Sequence, residues 1–226
     1  MAGNVANIKP YGSSAGREHP DYYKRPDTLI VDIHGHIMTE GVDEEVRKHV
    51  PAMSLDAVKY ASPLTRELNK KQNEDRHEEL VGVTKRLADM DKMCVDVMAI
   101  SPQPPQMHYD APEALGQETA QKVNDNIARA VSEAPDRLVG LGTVPLQNTD
   151  MALKELDRII GELGFKGIQI GAQIGQDELS AERLEPFWAK CEELDIPILL
   201  HPTSFASDRF GAHYLTNIIG NPLDTT

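Results

Sequence analysis

The sequence predicts an α/β fold built on a parallel sheet. Short apolar runs alternate with longer helical patterns from residue 29 onward, each helical pattern carries one apolar stripe, and the apolar runs are bounded by turn residues. Strands are expected at 29–34, 94–100, 138–143, 167–171 and 196–201, and helices at about 78–92, 113–134, 149–163 and 182–194.

Residues 1–28 read as an extended polar arm rich in Gly, Ser and Pro, weakly ordered unless a partner ties it down. The first strand follows as Leu29-Ile30-Val31-Asp32-Ile33-His34. Residues 37–77 then break the rhythm. They are charged, contain Pro51 and Pro63, and hold the run from Arg66 to Arg76, so they read as an excursion leaving the C-terminal end of the first strand. Barrel enzymes place their active-site loops on that face.

The next helix steps through Leu80, Val83, Leu87 and Met90, and leads into the strand around Val95–Ile100. Leu115, Thr119, Val123, Ile127 and Val131 form the stripe of the second helix, and Leu153, Leu156, Ile160 and Leu163 that of the third. Asp150 is the expected N-cap of the third helix, and Gly164 the residue that closes it in a left-handed conformation. Leu184, Phe187, Trp188, Cys191 and Leu194 make a broad fourth stripe, in which the single Trp reads as core. Pro197 falls near the start of the last strand, where a missing N–H does least harm.

The chemistry concentrates at strand ends. His34 and His36 are spaced by one residue at the end of the first strand, so both side chains point to one face. Two imidazoles so placed can close on one metal ion. Gly35 between them lets a neighbouring element approach the opposite face. The last strand ends as Leu199-Leu200-His201-Pro202, and in a parallel barrel the strand C-termini converge, which brings His201 to the same mouth. Three nitrogen ligands leave a position for water or substrate. Asp32 shares the face one layer deeper and reads as a supporting acid.

Ser101 and Gln103 follow the second strand and Gln173 the fourth, so they are candidates to line the mouth. Arg66, Arg76 and Arg209 are candidates to clamp a carboxylate. His19, His49, His77, His108 and His213 lie in polar stretches and read as exposed, His213 being the one possible addition to the site. Gly140-Leu141-Gly142 and Gly161–Gly164 lack the context of a phosphate-binding loop.

Bulk properties narrow the function classes. A net charge of −13 with no basic cluster argues against nucleic acid and anionic membranes as partners. No apolar stretch reaches bilayer length and the N-terminus lacks the apolar core of a signal peptide, so a cytoplasmic protein is expected. Cys94 and Cys191 read as small buried hydrophobes rather than a disulfide.

Five segments, in order, resemble one family: Val31–Ile37, Arg137–Pro145, Glu162–Gly171, His201-Pro202 and Gly220–Thr226. They are similar to segments of the 2-amino-3-carboxymuconate-6-semialdehyde decarboxylase family, a decarboxylase branch of the metal-dependent amidohydrolases. The resemblance implies a distorted TIM-type (β/α)8 barrel, of which residues 29–226 would supply about the first five βα units. It also implies one divalent ion, zinc before manganese, no organic cofactor, a small carboxylic acid substrate, non-oxidative loss of carbon dioxide, and a homodimer. Within it, His34, His36 and His201 match metal ligands. The family's catalytic histidine and last aspartate ligand would lie beyond Thr226, so a piece of a larger protein, or a shortened relative completed by another chain, is expected. The residues themselves leave open a metal-dependent amide or lactone hydrolase, or a relative that binds metal without turnover.

Overall fold

The computed structural model describes residues 24–25, 27–50, 61–202, 210 and 214–226. Five parallel strands form its centre: β1 (Val31–Ile37), β2 (Val97–Pro102), β3 (Leu138–Gly142), β4 (Gly167–Gly171) and β7 (Ile198–His201), adjacent in that order. β5 (Gln173–Ile174) and β6 (Asp177–Glu178) make a small antiparallel hairpin after β4, which the apolar pattern does not announce.

The helices lie between strands. α4 (Val83–Lys92) leads to β2, α5 (Glu113–Glu133) joins β2 to β3, α6 (Thr149–Gly161) joins β3 to β4, and α7 (Glu185–Glu193) leads to β7. Their apolar faces bury Met90, Val123, Ile127, Leu156, Ile159, Phe187 and Cys191 in one core with Ile100, Leu138, Ile168 and Ile170 from the strands. β4 is buried along its whole length, as a parallel strand covered on both faces should be.

Several expectations need correction. The excursion is not irregular throughout: α1 (Val42–Arg47), α2 (Pro63–Asp75) and α3 (His77–Val81) occupy parts of it, while residues 51–60 lie outside the described residues. α2 has no buried residue, so it carries no apolar stripe to betray it, and its signals are Ser62, whose side chain accepts from Thr65 N–H, and Pro63 at the first helical position. The N-cap of α6 is Asn148, which accepts from Met151 N–H at 3.0 Å, not Asp150. The buried stripe of α6 runs through Ala152, Leu156 and Ile159, one position away from Leu153 and Ile160. Of the N-terminal arm, residues 1–23 and 26 lie outside the described residues.

Helix ends place the strands. Cys94 adopts φ +57° after α4, and its flanking bonds run from Cys94 N to Asp91 O and from Val95 N to Met90 O. This is a Schellman turn with a non-glycine at the left-handed position. Asp195, φ +49°, does the same after α7, with Asp195 N to Glu192 O and Ile196 N to Cys191 O. Cys94 is therefore a half-buried turn residue and not a strand hydrophobe; Cys191 is buried as expected, and both cysteines are free thiols. Gly164 has the expected positive φ, +70°. No helix among the described residues is long and apolar enough to cross a membrane.

Candidate metal centre

β1 does not pair evenly with β2. Asp32 lies opposite Met98, yet Gly35 lies opposite Ile100, so Ile33 and His34 together face one residue, Ala99. This is a β-bulge, which re-aims side chains and leaves a backbone group without a ladder partner. The Asp32 carboxylate accepts the His34 N–H at 3.0 Å. Asp32 thus fastens the bulge that presents His34.

Gly35 lies directly against Met98 and Ala99 of β2. A Cβ there would come within 2.7 Å of Met98 Sδ and 3.2 Å of the Ala99 carbonyl oxygen. The close approach expected of this glycine is therefore present, and it allows His36 to stand opposite Ser101 in register.

His201 ends β7 opposite Gly171 of β4. The result is a cluster of three imidazoles. One ligand nitrogen each from His34, His36 and His201 lies within 4.8 Å of the others. His34 Nε2 is 3.0 Å from His36 Nε2, and the ring centroids are 4.8, 5.1 and 5.4 Å apart, with the rings close to perpendicular. Among the described residues no other set of His, Cys, Asp and Glu converges in this way.

The far nitrogens are occupied. His36 Nδ1 is 3.0 Å from the Pro102 carbonyl oxygen and His201 Nδ1 is 2.8 Å from that of Pro202. A carbonyl only accepts, so both rings carry their proton on Nδ1 and present an unprotonated Nε2. Burial, reinforced by His201 and His34, pushes the His36 pKa down to about 4, and burial also lowers His201. Neutral imidazole is the ligand form. Two nitrogens about 2.0–2.1 Å from a shared ion stand roughly 3 Å apart, so the donor set and spacing suit a divalent ion such as zinc or manganese.

A buried cation lies under the site. Arg86 of α4 donates to the His36 carbonyl oxygen at 2.6 Å and to the Glu79 carbonyl oxygen at 3.1 Å. Burial pushes its guanidinium pKa below the ordinary value, and the nearby Asp32 charge acts in the opposite sense. Nothing in the periodicity of α4 marks this arginine as buried.

The remaining candidates fall in different places. Ser101 does not line the mouth: it is fully buried behind His36, with Oγ 3.0 Å from His36 Nδ1 and 2.7 Å from Gln169 Oε1. Gln103 is half-buried directly after β2, where its N–H donates to the Ile37 carbonyl. Gln173 is half-buried on β5. Arg66 occupies an exposed position of α2, and Arg76 its C-cap. His49 and His77 are exposed, as expected. His108 is a correction: it is buried at φ +47°, with Nε2 3.0 Å from Asp43 Oδ1 of α1. His19, Arg209 and His213 lie outside the described residues.

The family profile described as Amidohydrolase matches residues 31–222, from the first residue of β1 to the last helical turn. The chain belongs to the amidohydrolase family. It is 36% identical over 141 residues to the 2-amino-3-carboxymuconate-6-semialdehyde decarboxylase of Dictyostelium discoideum, covering 62% of this chain and 39% of that protein. It is 34% identical over 125 residues to a gamma-resorcylate decarboxylase of a Polaromonas species, covering 52% and 38%. Among solved structures it is similar to the 5-carboxyvanillate decarboxylase of Novosphingobium aromaticivorans, which holds manganese and 3-methoxy-4-hydroxy-5-nitrobenzoic acid. That match has a TM-score of 0.72 and 25% identity, over 88% of this chain and 59% of the other. The sheet is thus part of an amidohydrolase (β/α)8-type barrel, as the sequence predicts. The chain spans about two fifths of the length of these curated relatives.

Proposed function

We propose that this amidohydrolase chain holds one divalent ion on His34, His36 and His201 and serves the non-oxidative decarboxylation of an aromatic or unsaturated carboxylic acid. The observation that carries the reading is the convergence of three imidazoles whose ligand nitrogens lie within 4.8 Å of one another at the strand ends. Its decarboxylase relatives, one of them solved with manganese, support the choice of reaction within the family.

A divalent ion bound there would supply Lewis-acid stabilisation of the negative charge that builds on the substrate as carbon dioxide departs. The chain's own residues prepare the place. The Pro102 and Pro202 carbonyls keep the Nδ1 protons of His36 and His201 away from the ligand face. Asp32 holds the bulge that aims His34. Gln103, directly after β2, and Arg66 on α2 are the groups we assign to the substrate, because a guanidinium matches a carboxylate in a chain whose overall charge repels anions. The donor set suits zinc before manganese. Homodimer formation and a cytoplasmic site, the latter supported by two free thiols, complete the reading.

The test is carbon dioxide release from a panel of hydroxybenzoates and 2-amino-3-carboxymuconate semialdehyde, with and without a chelator. Release that requires added metal and disappears in His36→Ala supports the proposal. Opening of amides or lactones without gas release would assign the site to hydrolysis instead. Stoichiometric metal with turnover of neither substrate class would make the chain a binding relative.

A further inference from the structure

Behind the histidine cluster lies a closed circuit of polar side chains. Ser101 and Gln169 are both fully buried, on β2 and β4, and neither can reach a ligand in the mouth directly. Gln169 Nε2 is 3.0 Å from the Pro102 carbonyl oxygen, and Gln169 Oε1 is 2.7 Å from Ser101 Oγ. Ser101 Oγ and Pro102 O are in turn the two atoms 3.0 Å from His36 Nδ1.

The direction of every bond follows from one fact, that the Pro102 carbonyl can only accept. Gln169 must therefore turn its amino group toward Pro102, which leaves its carbonyl facing Ser101. The single Ser101 hydroxyl proton goes to that carbonyl, its shortest contact, in preference to the Gly35 carbonyl at 3.0 Å. Ser101 then faces His36 with a lone pair. Both neighbours of His36 Nδ1 are acceptors, so the ring nitrogen must carry the proton.

We propose that Gln169 and Ser101 form a positioning relay that locks His36 in its Nδ1-protonated tautomer, so that the Nε2 lone pair faces the cluster before any ion arrives. The inference rests on the metal reading above and adds two residues to it. Groups that hold a ligand histidine by its second nitrogen typically change metal affinity by 10–100-fold when removed. Ser101 and Gln169 stand on separate strands, so the relay also ties the ring to β2 and β4 at once. Leaving a buried partner unpaired is costly, which is why removal of either member should be felt at the ring.

The test combines nitrogen NMR of the imidazoles in the metal-free protein with separate titrations of Mn²⁺ and Zn²⁺. Wild-type protein is expected to show a pyridine-type Nε2 and a protonated Nδ1 at His36. Gln169→Leu, which frees the Ser101 hydroxyl to donate to Nδ1, should mix the tautomers, and Ser101→Ala, which leaves the Pro102 carbonyl as acceptor, should keep the tautomer but broaden the His36 signals. Both should weaken affinity for each ion by about 10–100-fold, whereas Ser101→Thr, which keeps the hydroxyl, should stay within about threefold of wild type. A protonated Nε2 at His36 in the wild type overturns the relay even where a variant fails to fold. So do folded Leu and Ala variants that bind as wild type. A wild type with the expected tautomer that binds neither ion leaves the relay standing and contradicts the metal reading instead.

Discussion

His34, in a β-bulge, and His36, in the regular ladder beyond it, bring their Nε2 atoms to 3.0 Å from each other. Simple alternation would set both rings on one face of a regular strand. The two rings do share a face, but at different depths: His34 is exposed and His36 is half-buried against Ser101 and Pro102. One imidazole is thus free to adjust to an ion while the other is fixed, and Asp32 maintains the difference by capping the His34 N–H.

Replacement of Asp32 by Ala removes that cap. The expected cost is about 1 kcal/mol of stability, as for loss of one hydrogen bond to a backbone amide, with a weakened affinity for divalent metal. Asp32→Asn retains an acceptor and should recover most of both. Urea denaturation and metal titration of the two variants check this.

Stability of the metal-free protein should fall in mild acid. His36 titrates at about 4 in the folded chain because burial, then His201 and His34, oppose its charge, against an ordinary value of 6.5 in the unfolded chain. The unfolded state therefore binds more protons between these values, so the contribution is complete above about pH 6.5 and is lost as pH falls toward 4. By pH 5 the loss from His36 alone is roughly 2 kcal/mol, and the lowered His201 adds in the same direction. Urea midpoints of the metal-free protein at pH 7.5 and pH 5 give the difference. His36→Gln should flatten it.

Gly35→Ala places a methyl group 2.7 Å from Met98 Sδ and 3.2 Å from the Ala99 carbonyl. Met98 can yield, but the carbonyl belongs to the ladder. A destabilisation of about 1–3 kcal/mol is expected, with reduced metal affinity because β1 is forced away from β2. Thermal denaturation with and without zinc separates the two effects.

Cys94 and Gly164 predict opposite signs for substitutions at equivalent turns. Cys94 carries φ +57°, so Cys94→Gly should raise stability by about 0.5–1 kcal/mol, whereas Gly164→Ala, at φ +70°, should lower it by about 1 kcal/mol. Calorimetry of both variants tests the pair.

The order of strands and helices was legible because each element repeats one simple signal: a buried strand is apolar throughout, and a helix on a sheet carries a single stripe. The three histidines were legible because parallel strands end on one side. Other features have no such signature. α2 has no buried residue, so its sequence resembles solvated loop. The bulge at Ile33 and His34 depends on how β1 meets β2 and leaves no local mark. Ser101, Gln169 and Arg86 are polar residues whose burial is compensated by partners far away in sequence, such as Gln169 with Ser101 and Arg86 with the His36 carbonyl. Read alone, Ser101 beside Gln103 looked like part of a binding loop. Its hydrogen bonds turn it toward the back of His36.

The most direct test of the account is the stoichiometry of metal binding. Metal-free protein titrated with Zn²⁺ or Mn²⁺ should take up one equivalent per chain, and His36→Ala or His201→Ala should weaken that binding by at least about 100-fold, with His34→Ala also weakening it. Absence of uptake in folded wild-type protein, or uptake unchanged in the three variants, would contradict the assignment of His34, His36 and His201 as a metal centre.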